Sequence, residues 1–293
     1  MFTVLADTFP SWYKLDIGSW FDRLIPLLVV RFGWLFDRVT QDLLWVLNGL
    51  ERLIDLVPWW VQVLVVFVLG WRATRKLGRG SLYAALLVLV GLLGLWEEMN
   101  QTLAIVVASV ALSLVIGLPF GILTANSRRL TAGLRPLLDA MQTMPTFVYL
   151  IPAVMFFGLG KVPAVIATTI YAVPPVVRLT SHAIEQVDLE VVEAGRAFGA
   201  SRLQLLFKVQ IPQALPTIMQ GINQTTMMAV SMIVTCSMIG ARGLGLEVIT
   251  AINRLEMGRG FTSGLAIVIV AVLIDRLTQG WYRRGPKLEE GRP

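Results

Sequence analysis

The sequence predicts an all-α membrane protein, a polytopic helical bundle with about seven transmembrane helices. Two observations carry this prediction. Of the 293 residues, 56% are hydrophobic and the mean hydropathy is +0.70, whereas a soluble globular domain is about 45–50% apolar. The apolar residues also form long blocks, and only 15% of residues are charged, so few loops are large enough to form a soluble domain. One membrane domain therefore accounts for most of the chain.

Seven segments are candidates for spanning helices, which need about 20 mostly apolar residues. They are residues 56–71, 81–96, 102–124, 141–159, 162–180, 217–240 and 262–280, of which the first two are short. Only Gly160 and Lys161 separate the fourth segment from the fifth, which predicts a tight hairpin. No internal repeat is evident, which disfavours a secondary transporter built from inverted repeats.

Basic residues are concentrated in alternate loops. They follow the first, third, fifth and seventh segments: Arg72, Arg75, Lys76, Arg79, Arg128, Arg129, Arg135, Arg196, Arg202, Lys208, Arg283, Arg284 and Lys287. Loops rich in lysine and arginine stay in the cytoplasm, so the N-terminus is predicted outside and the C-terminus inside. The same distribution accounts for the net charge of +6. Because no basic stripe with interleaved aromatic residues is present, no nucleic-acid partner is expected.

The predicted organisation has four parts. Residues 1–57 form an N-terminal region, 58–100 two accessory spans, 101–282 a five-helix core with a charged loop at 185–216, and 283–293 a cytoplasmic tail. The first residues lack a basic stretch followed by an apolar core, so no cleavable signal peptide is expected. From Phe36 to Val57 apolar residues recur at three- and four-residue steps, which predicts an amphipathic helix. It would lie either flat on the outer membrane surface or packed on the spans.

Small residues recur at every fourth position of the third segment: Ser109, Ser113, Gly117 and Gly121. Such a stripe lets two helix backbones approach closely. Helix packing is therefore the favoured interpretation, and contact with a substrate is the alternative.

The loop 185–216 interrupts the apolar chain with a helix–glycine–helix pattern. Asp188 can cap a first helix, which Gly199 would end because glycine tolerates the left-handed conformation. Ser201 and Gln204 form a capping-box pattern for a second helix, which Pro212 and Pro216 would end. Ala194 and Gly195 leave one face of the first helix bare enough to enter a partner's groove. Glu193 and Arg196 would fix the register by polar contacts there, and Phe198 would anchor the contact. An amphipathic loop at the lipid surface is the other interpretation.

This loop resembles the EAA motif of ABC importer permeases, in which Glu-Ala-Ala, a glycine and Ile-x-Leu-Pro follow at fixed spacing. The matching residues are Glu193-Ala194-Gly195, Gly199 and Val209-Gln210-Ile211-Pro212, and the departures at 195, 209 and 211 keep the size class. The segments 135–152, 198–212 and 275–279 further resemble the permeases of glycine betaine and proline betaine importers, a family that includes choline and carnitine importers. The resemblance covers about residues 40–280.

The resemblance implies a type I ABC importer permease in the bacterial inner membrane. It implies a homodimer, two cytoplasmic ATPase subunits that bind ATP and Mg²⁺, and an external substrate-binding protein. It also implies that residues 185–216 are the loop that couples the permease to the ATPase. The coupling residues would be Glu193, Ala194, Gly195, Arg196, Phe198, Gly199 and Pro212. The substrate would be glycine betaine or a related quaternary amine.

Two polar faces of the spans are candidates for the substrate path. They comprise Gln142, Thr146 and Tyr149 on the fourth segment, and Asn223, Gln224, Met228, Ser231 and Thr235 on the sixth. Polar groups in a span usually face the bundle interior or a water-filled cavity. Hydrogen bonding between helices without ligand contact is the favoured alternative.

No cofactor or metal is expected on this chain, and it is not expected to be an enzyme. The sequence has no phosphate-binding loop, and His182 and Cys236 are each the only residue of their type, which disfavours a metal site and excludes an intrachain disulfide. An ABC permease for another small solute, such as an amino acid, is an alternative. So is an ion-coupled secondary transporter, although Asp275 is the only carboxylate well inside a predicted span.

Overall fold

The computed structural model describes residues 16–282, with side chains for residues 16–280, and every regular element within this range is a helix. The all-α fold class is thereby confirmed. The helices are α1 (Ile17–Leu56), α2 (Trp59–Thr74), α3 (Leu77–Leu92), α4 (Trp96–Ala125), α5 (Arg128–Thr143), α6 (Thr146–Phe157), α7 (Lys161–Glu185), α8 (Leu189–Ala197), α9 (Arg202–Leu205), α10 (Ile211–Ser237), α11 (Leu244–Arg254) and α12 (Met257–Tyr282). The tail 283–293 and residues 1–15 lie outside the described residues.

The helix α1 is longer than the sequence pattern predicts. It has 40 residues, with Asp16 as its N-cap, and Pro26 lies within it. At 1.5 Å per residue its length is roughly 60 Å. The predicted amphipathic helix is therefore part of one longer element, which also contains the apolar residues 24–30. Its second half packs on α4, α6 and α7 around the fully buried Leu47, and the Asn100 amide donates to Asp55 Oδ1 at 3.0 Å.

The helices α4, α7 and α10 form the centre of the bundle. The four small residues of α4 are buried in this centre. The Ser113 hydroxyl donates to the Thr169 carbonyl oxygen of α7 at 3.2 Å. A Cβ atom on Gly117 would lie 2.2 Å from Val176 Cγ1, and one on Gly121 would lie 2.9 Å from the Val177 carbonyl oxygen. The two backbones are therefore in close contact along this stripe.

The predicted number of seven spans is not confirmed. By length and composition, three helices of the described part can cross a membrane: α4, α7 and α12. Two bent pairs, α1 with α2 (90°) and α5 with α6 (101°), could each add one span, and α3 is a shorter apolar helix. The buried helix α10 has 27 residues, but glutamine, asparagine and threonine side chains make its first half polar.

The segment 141–159 is not one straight helix, so this prediction is wrong. The chain breaks at Met144 and Pro145, and α6 begins only at Thr146. The residue before a proline is pushed into an extended conformation, and Met144 has φ −68° and ψ 135°. The turn between α6 and α7 is as tight as predicted, since only residues 158–160 separate these helices.

Candidate coupling loop and translocation face

The local structure of the loop 185–216 agrees with the sequence pattern at both ends of its first helix. Asp188 Oδ1 accepts from the Glu190 N–H at 2.9 Å, and α8 ends at Phe198, where Gly199 has a φ of +80°. The capping box is present, with the Gln204 N–H bonded to Ser201 Oγ at 3.3 Å and the Ser201 N–H bonded to Gln204 Oε1 at 2.8 Å. The predicted first short helix, the glycine at its end and the capped start of a second helix are therefore confirmed.

One residue of the bare face of α8 packs within the loop itself, while the entry of this face into a partner's groove stays a prediction. A Cβ atom on Gly195 would lie 2.6 Å from Leu205 Cδ2, so this glycine closes against the second helix of its own loop. Leu205 is buried, and Val192 and Leu206 belong to a buried cluster with residues of α7 and α10. The loop is thus a compact unit fixed to the ends of two bundle helices.

Several large apolar side chains of the loop are exposed. The exposed fraction is 91% for Phe198, 72% for Leu189, 68% for Leu203 and 60% for Phe207; we call these four residues the docking face. Glu193, Ala194 and Arg196 are exposed beside them. Exposed apolar patches rimmed by polar residues mark interaction sites.

The second short helix does not end at Pro212 or Pro216, contrary to the prediction. It continues through a π-helical turn, Leu206–Gln210, into α10, which contains both prolines. A proline lacks the N–H of a regular helix and crowds the preceding turn, and the wider π-turn accommodates this. The loop is therefore joined to α10 by a continuous helical connection.

The sixth-segment polar residues lie on two sides of α10. Gln224 and Ser231 are exposed, and Met228 and Thr235 are half-buried. Asn223 lies on the α12 side, where its amide donates to Asp275 Oδ1 at 3.0 Å. Four exposed residues follow each other at helical spacing and form one stripe: Gln220, Gln224, Ser231 and Met238.

The fourth-segment polar residues are separated by the break at Pro145. Gln142 is exposed on α5, Thr146 is half-buried at the start of α6, and Tyr149 is buried. The Tyr149 hydroxyl donates to the Met141 carbonyl oxygen, and its ring meets Tyr171 edge-on at 5.7 Å. Tyr149 thus packs against α5 and α7 in this structure, its contact with a substrate stays a prediction, and these three residues do not form one continuous face.

Sequence reasoning missed several ion pairs between distant segments. Lys161 Nζ lies 2.7 Å from Glu51 Oε1 and joins the start of α7 to α1. Arg178 of α7 pairs with Asp139 of α5, and Arg259 Nε lies 2.7 Å from Glu247 Oε2. Among the described residues, no group of three or more histidine, cysteine, aspartate or glutamate side chains could hold a metal ion.

Comparison with known proteins decides the family. Residues 117–284, which include α7, α10 and the whole loop 185–216, match the family described as the inner membrane component of binding-protein-dependent transport systems. The chain belongs to this family. It is therefore a multi-pass membrane permease subunit of an ABC transporter.

Several characterised permeases are similar over almost the whole chain. The glycine betaine/proline betaine transport system permease protein ProW of Escherichia coli (strain K12) is 43% identical over 93% of this chain and 80% of its own. The glycine betaine/carnitine transport permease protein GbuB of Listeria monocytogenes serotype 1/2a is 45% identical over 94% of this chain and 98% of its own. The glycine betaine transport system permease protein OpuAB of Bacillus subtilis (strain 168) is 42% identical over 91% and 94%.

The fold is also that of a solved transporter. An inward-facing structure of the MetNI methionine ABC transporter superposes with a TM-score of 0.59 at 24% identity, covering 64% of this chain and 94% of the matched chain. This likeness supports the type I importer fold.

Proposed function

We propose that this chain is the permease subunit of an ATP-driven importer for glycine betaine or a related quaternary amine such as proline betaine, choline or carnitine. The observation that carries the proposal is the identity of 42–45% over more than nine-tenths of the chain with three permeases named for glycine betaine. Such coverage includes the loop, α1 and the helices that carry the candidate path residues, which are α5, α6 and α10. The chain itself catalyses no reaction, and its partner hydrolyses ATP.

The coupling loop is the docking site for the ATPase in this proposal. The docking face presents two phenylalanines and two leucines to the solvent, while Glu193 and Arg196 beside it can fix the register of a partner. An exposed aromatic anchor with a polar rim is typical of the residues that dominate protein interfaces. Two permease copies with two ATPase subunits and an external binding protein complete the assembly.

The exposed stripe of α10 is our proposed translocation face. Its glutamines and serine are polar, and polar side chains do not face lipid at membrane depth without cost. A second permease copy or a water-filled path must therefore cover the stripe. The direct connection of α10 to the coupling loop through the π-helical turn allows ATPase closure to move this face.

Uptake by the reconstituted complex tests the proposed function. Vesicles that contain the permease and its ATPase are expected to take up glycine betaine when ATP is enclosed and the binding protein is added outside. Vesicles without ATP, or with an ion gradient alone, serve as the control and should show no uptake. Uptake driven by the gradient alone would support a secondary transporter, and preferred uptake of an amino acid would support the other alternative.

The orientation is tested with single cysteines. Cys236 is the only cysteine of the sequence and is buried, with 1% exposure, so the background of labelling is low. Glu97 at the start of α4 and Arg129 on α5 are both exposed. In intact cells an impermeant thiol reagent is expected to label a Glu97→Cys permease but not an Arg129→Cys permease. The reverse pattern would place the N-terminal region and α1 inside the cell and contradict the proposed topology.

A further inference from the structure

A cavity of about 460 Å³ lies between α10 and α12. Its wall combines the thioether side chains of Met219 and Met227 with the amides of Asn223, Gln224 and Gln279. No charged side chain of the described residues lines it directly. The cavity is large enough for a small organic solute, and one of its sides borders the exposed stripe of α10.

Asp275 lies directly behind this wall. Its Oδ1 atom accepts from Asn223 Nδ2 at 3.0 Å and from Gln279 Nε2 at 2.6 Å. A carboxylate oxygen can only accept, so both amides must turn their NH₂ groups toward Asp275. Each amide then keeps its carbonyl oxygen and a second N–H for other partners, and Asn223 Oδ1 is buried without a hydrogen bond among the described residues.

The ion pair that Asp275 forms among the described residues is a loose one. The Arg276 Nε atom lies 3.9 Å from Asp275 Oδ2, and the Arg276 side chain is 56% exposed. This distance exceeds that of a hydrogen bond. The negative charge therefore acts on the cavity wall, and it polarises the two amides so that their carbonyl oxygens become stronger acceptors.

The wall fits one class of ligand best. It offers negative potential, amide oxygens and polarizable sulfur. A hard metal cation would need several oxygen ligands at roughly 2.0–2.6 Å, whereas thioethers and methyl groups pack well against each other. A cation that is bulky, apolar at its surface and without N–H donors matches all of these features. Gln224 at the exposed side carries amide N–H groups that can donate to a carboxylate on the same ligand.

We propose that the cavity between α10 and α12, walled by Asn223 and Gln279 and backed by Asp275, is a transient binding site for the quaternary ammonium head of the transported solute. This site rests on the proposed function and adds a substrate contact within the permease itself. Binding there is weak, because a site on a transport path must also release its ligand. Asp275 acts on the ligand through the two amides.

Ligand protection of a single thiol tests the site. The permease is prepared with its ATPase in vesicles, without the binding protein, and carries Gln224→Cys together with Cys236→Ser. Alkylation of the thiol at position 224 is measured with glycine betaine at millimolar concentration. The comparison ligand is 3,3-dimethylbutanoate, which has the same shape and carboxylate but carries carbon in place of the charged nitrogen. Glycine betaine is expected to slow alkylation several-fold, and the neutral-headed isostere is not.

Two further variants separate ligand binding from simple helix packing. Asp275→Asn in the same background should abolish the protection, while Asp275→Glu should retain part of it because the charge remains. Asp42→Asn removes a carboxylate that is 70% exposed on α1, far from the cavity, and should leave the protection unchanged. Equal protection by the two ligands, no protection, or protection that persists in Asp275→Asn would each overturn the site.

Failure of this site is distinguishable from failure of the proposed function. The wild-type complex is assayed in parallel for ATP-dependent uptake of glycine betaine with the binding protein present. If uptake occurs without charge-dependent protection, the cavity is not the site and the importer assignment stands. If no quaternary amine is taken up, the importer assignment itself fails.

Discussion

Replacing Gly117 by leucine is expected to abolish most of the folded permease. A Cβ atom at this position would lie 2.2 Å from Val176 Cγ1, and Val176 is itself fully buried in α7. Neither α4 nor α7 has room to move, because Gly121 forms a second close contact between them one turn further along α4. Overpacking of a core costs about 1–3 kcal/mol, and leucine adds three more carbon atoms at this point. We expect a large loss of monodisperse protein in size-exclusion chromatography and a lower Tm.

A matched control uses the same substitution where space is available. A Cβ atom at Gly49 of α1 would meet nothing within 4 Å, and leucine has the higher helix propensity. Gly49→Leu should therefore give a normal yield and Tm. Equal Tm values for the two variants would show that α4 and α7 separate easily along this stripe, and the close contact would have no role in stability.

The sequence predicted those parts of the loop that depend on neighbouring residues. Asp188 and the Ser201–Gln204 pair each bond to a residue no more than three positions away, so these hydrogen bonds follow from spacing alone. Pro145 is a local signal of the same kind, but it was outweighed by the apolar character of the whole segment 141–159. The helix break there was consequently missed although the residue that causes it was visible.

Contacts between distant segments could not be predicted. Position 195 has no room for a side chain because Leu205 occupies the neighbouring space. The EAA pattern does not distinguish this internal contact from a face reserved for a partner. The Lys161–Glu51 pair joins residues 110 positions apart. The continuity of α10 through the π-helical turn was also hidden, since two prolines usually indicate a helix end. The loop is thus more firmly attached to the bundle than its sequence suggested.

Phe198→Ala is expected to uncouple the permease from its ATPase without affecting the fold. The ring is 91% exposed at the end of α8, so its removal leaves no cavity in the permease. Truncation of an anchor residue at an interface costs about 2 kcal/mol or more, which corresponds to a dissociation constant roughly 30-fold higher. We expect weaker binding of the ATPase, and a parallel loss of glycine betaine uptake and of ATP hydrolysis stimulated by the loaded binding protein.

Phe261→Ala is the matched control for this variant. Phe261 is 73% exposed near the start of α12, at the end of the bundle that the coupling loop does not occupy. Its truncation removes the same ring from an exposed position, and ATPase binding should remain normal. Both variants should enter the membrane at wild-type levels and show the wild-type Tm. If Phe198→Ala binds the ATPase as tightly as Phe261→Ala does, the docking face is not the ATPase contact. The exposed phenylalanines and leucines of the loop would then have to meet lipid, and the connection of α10 to the loop would carry no motion from ATP hydrolysis.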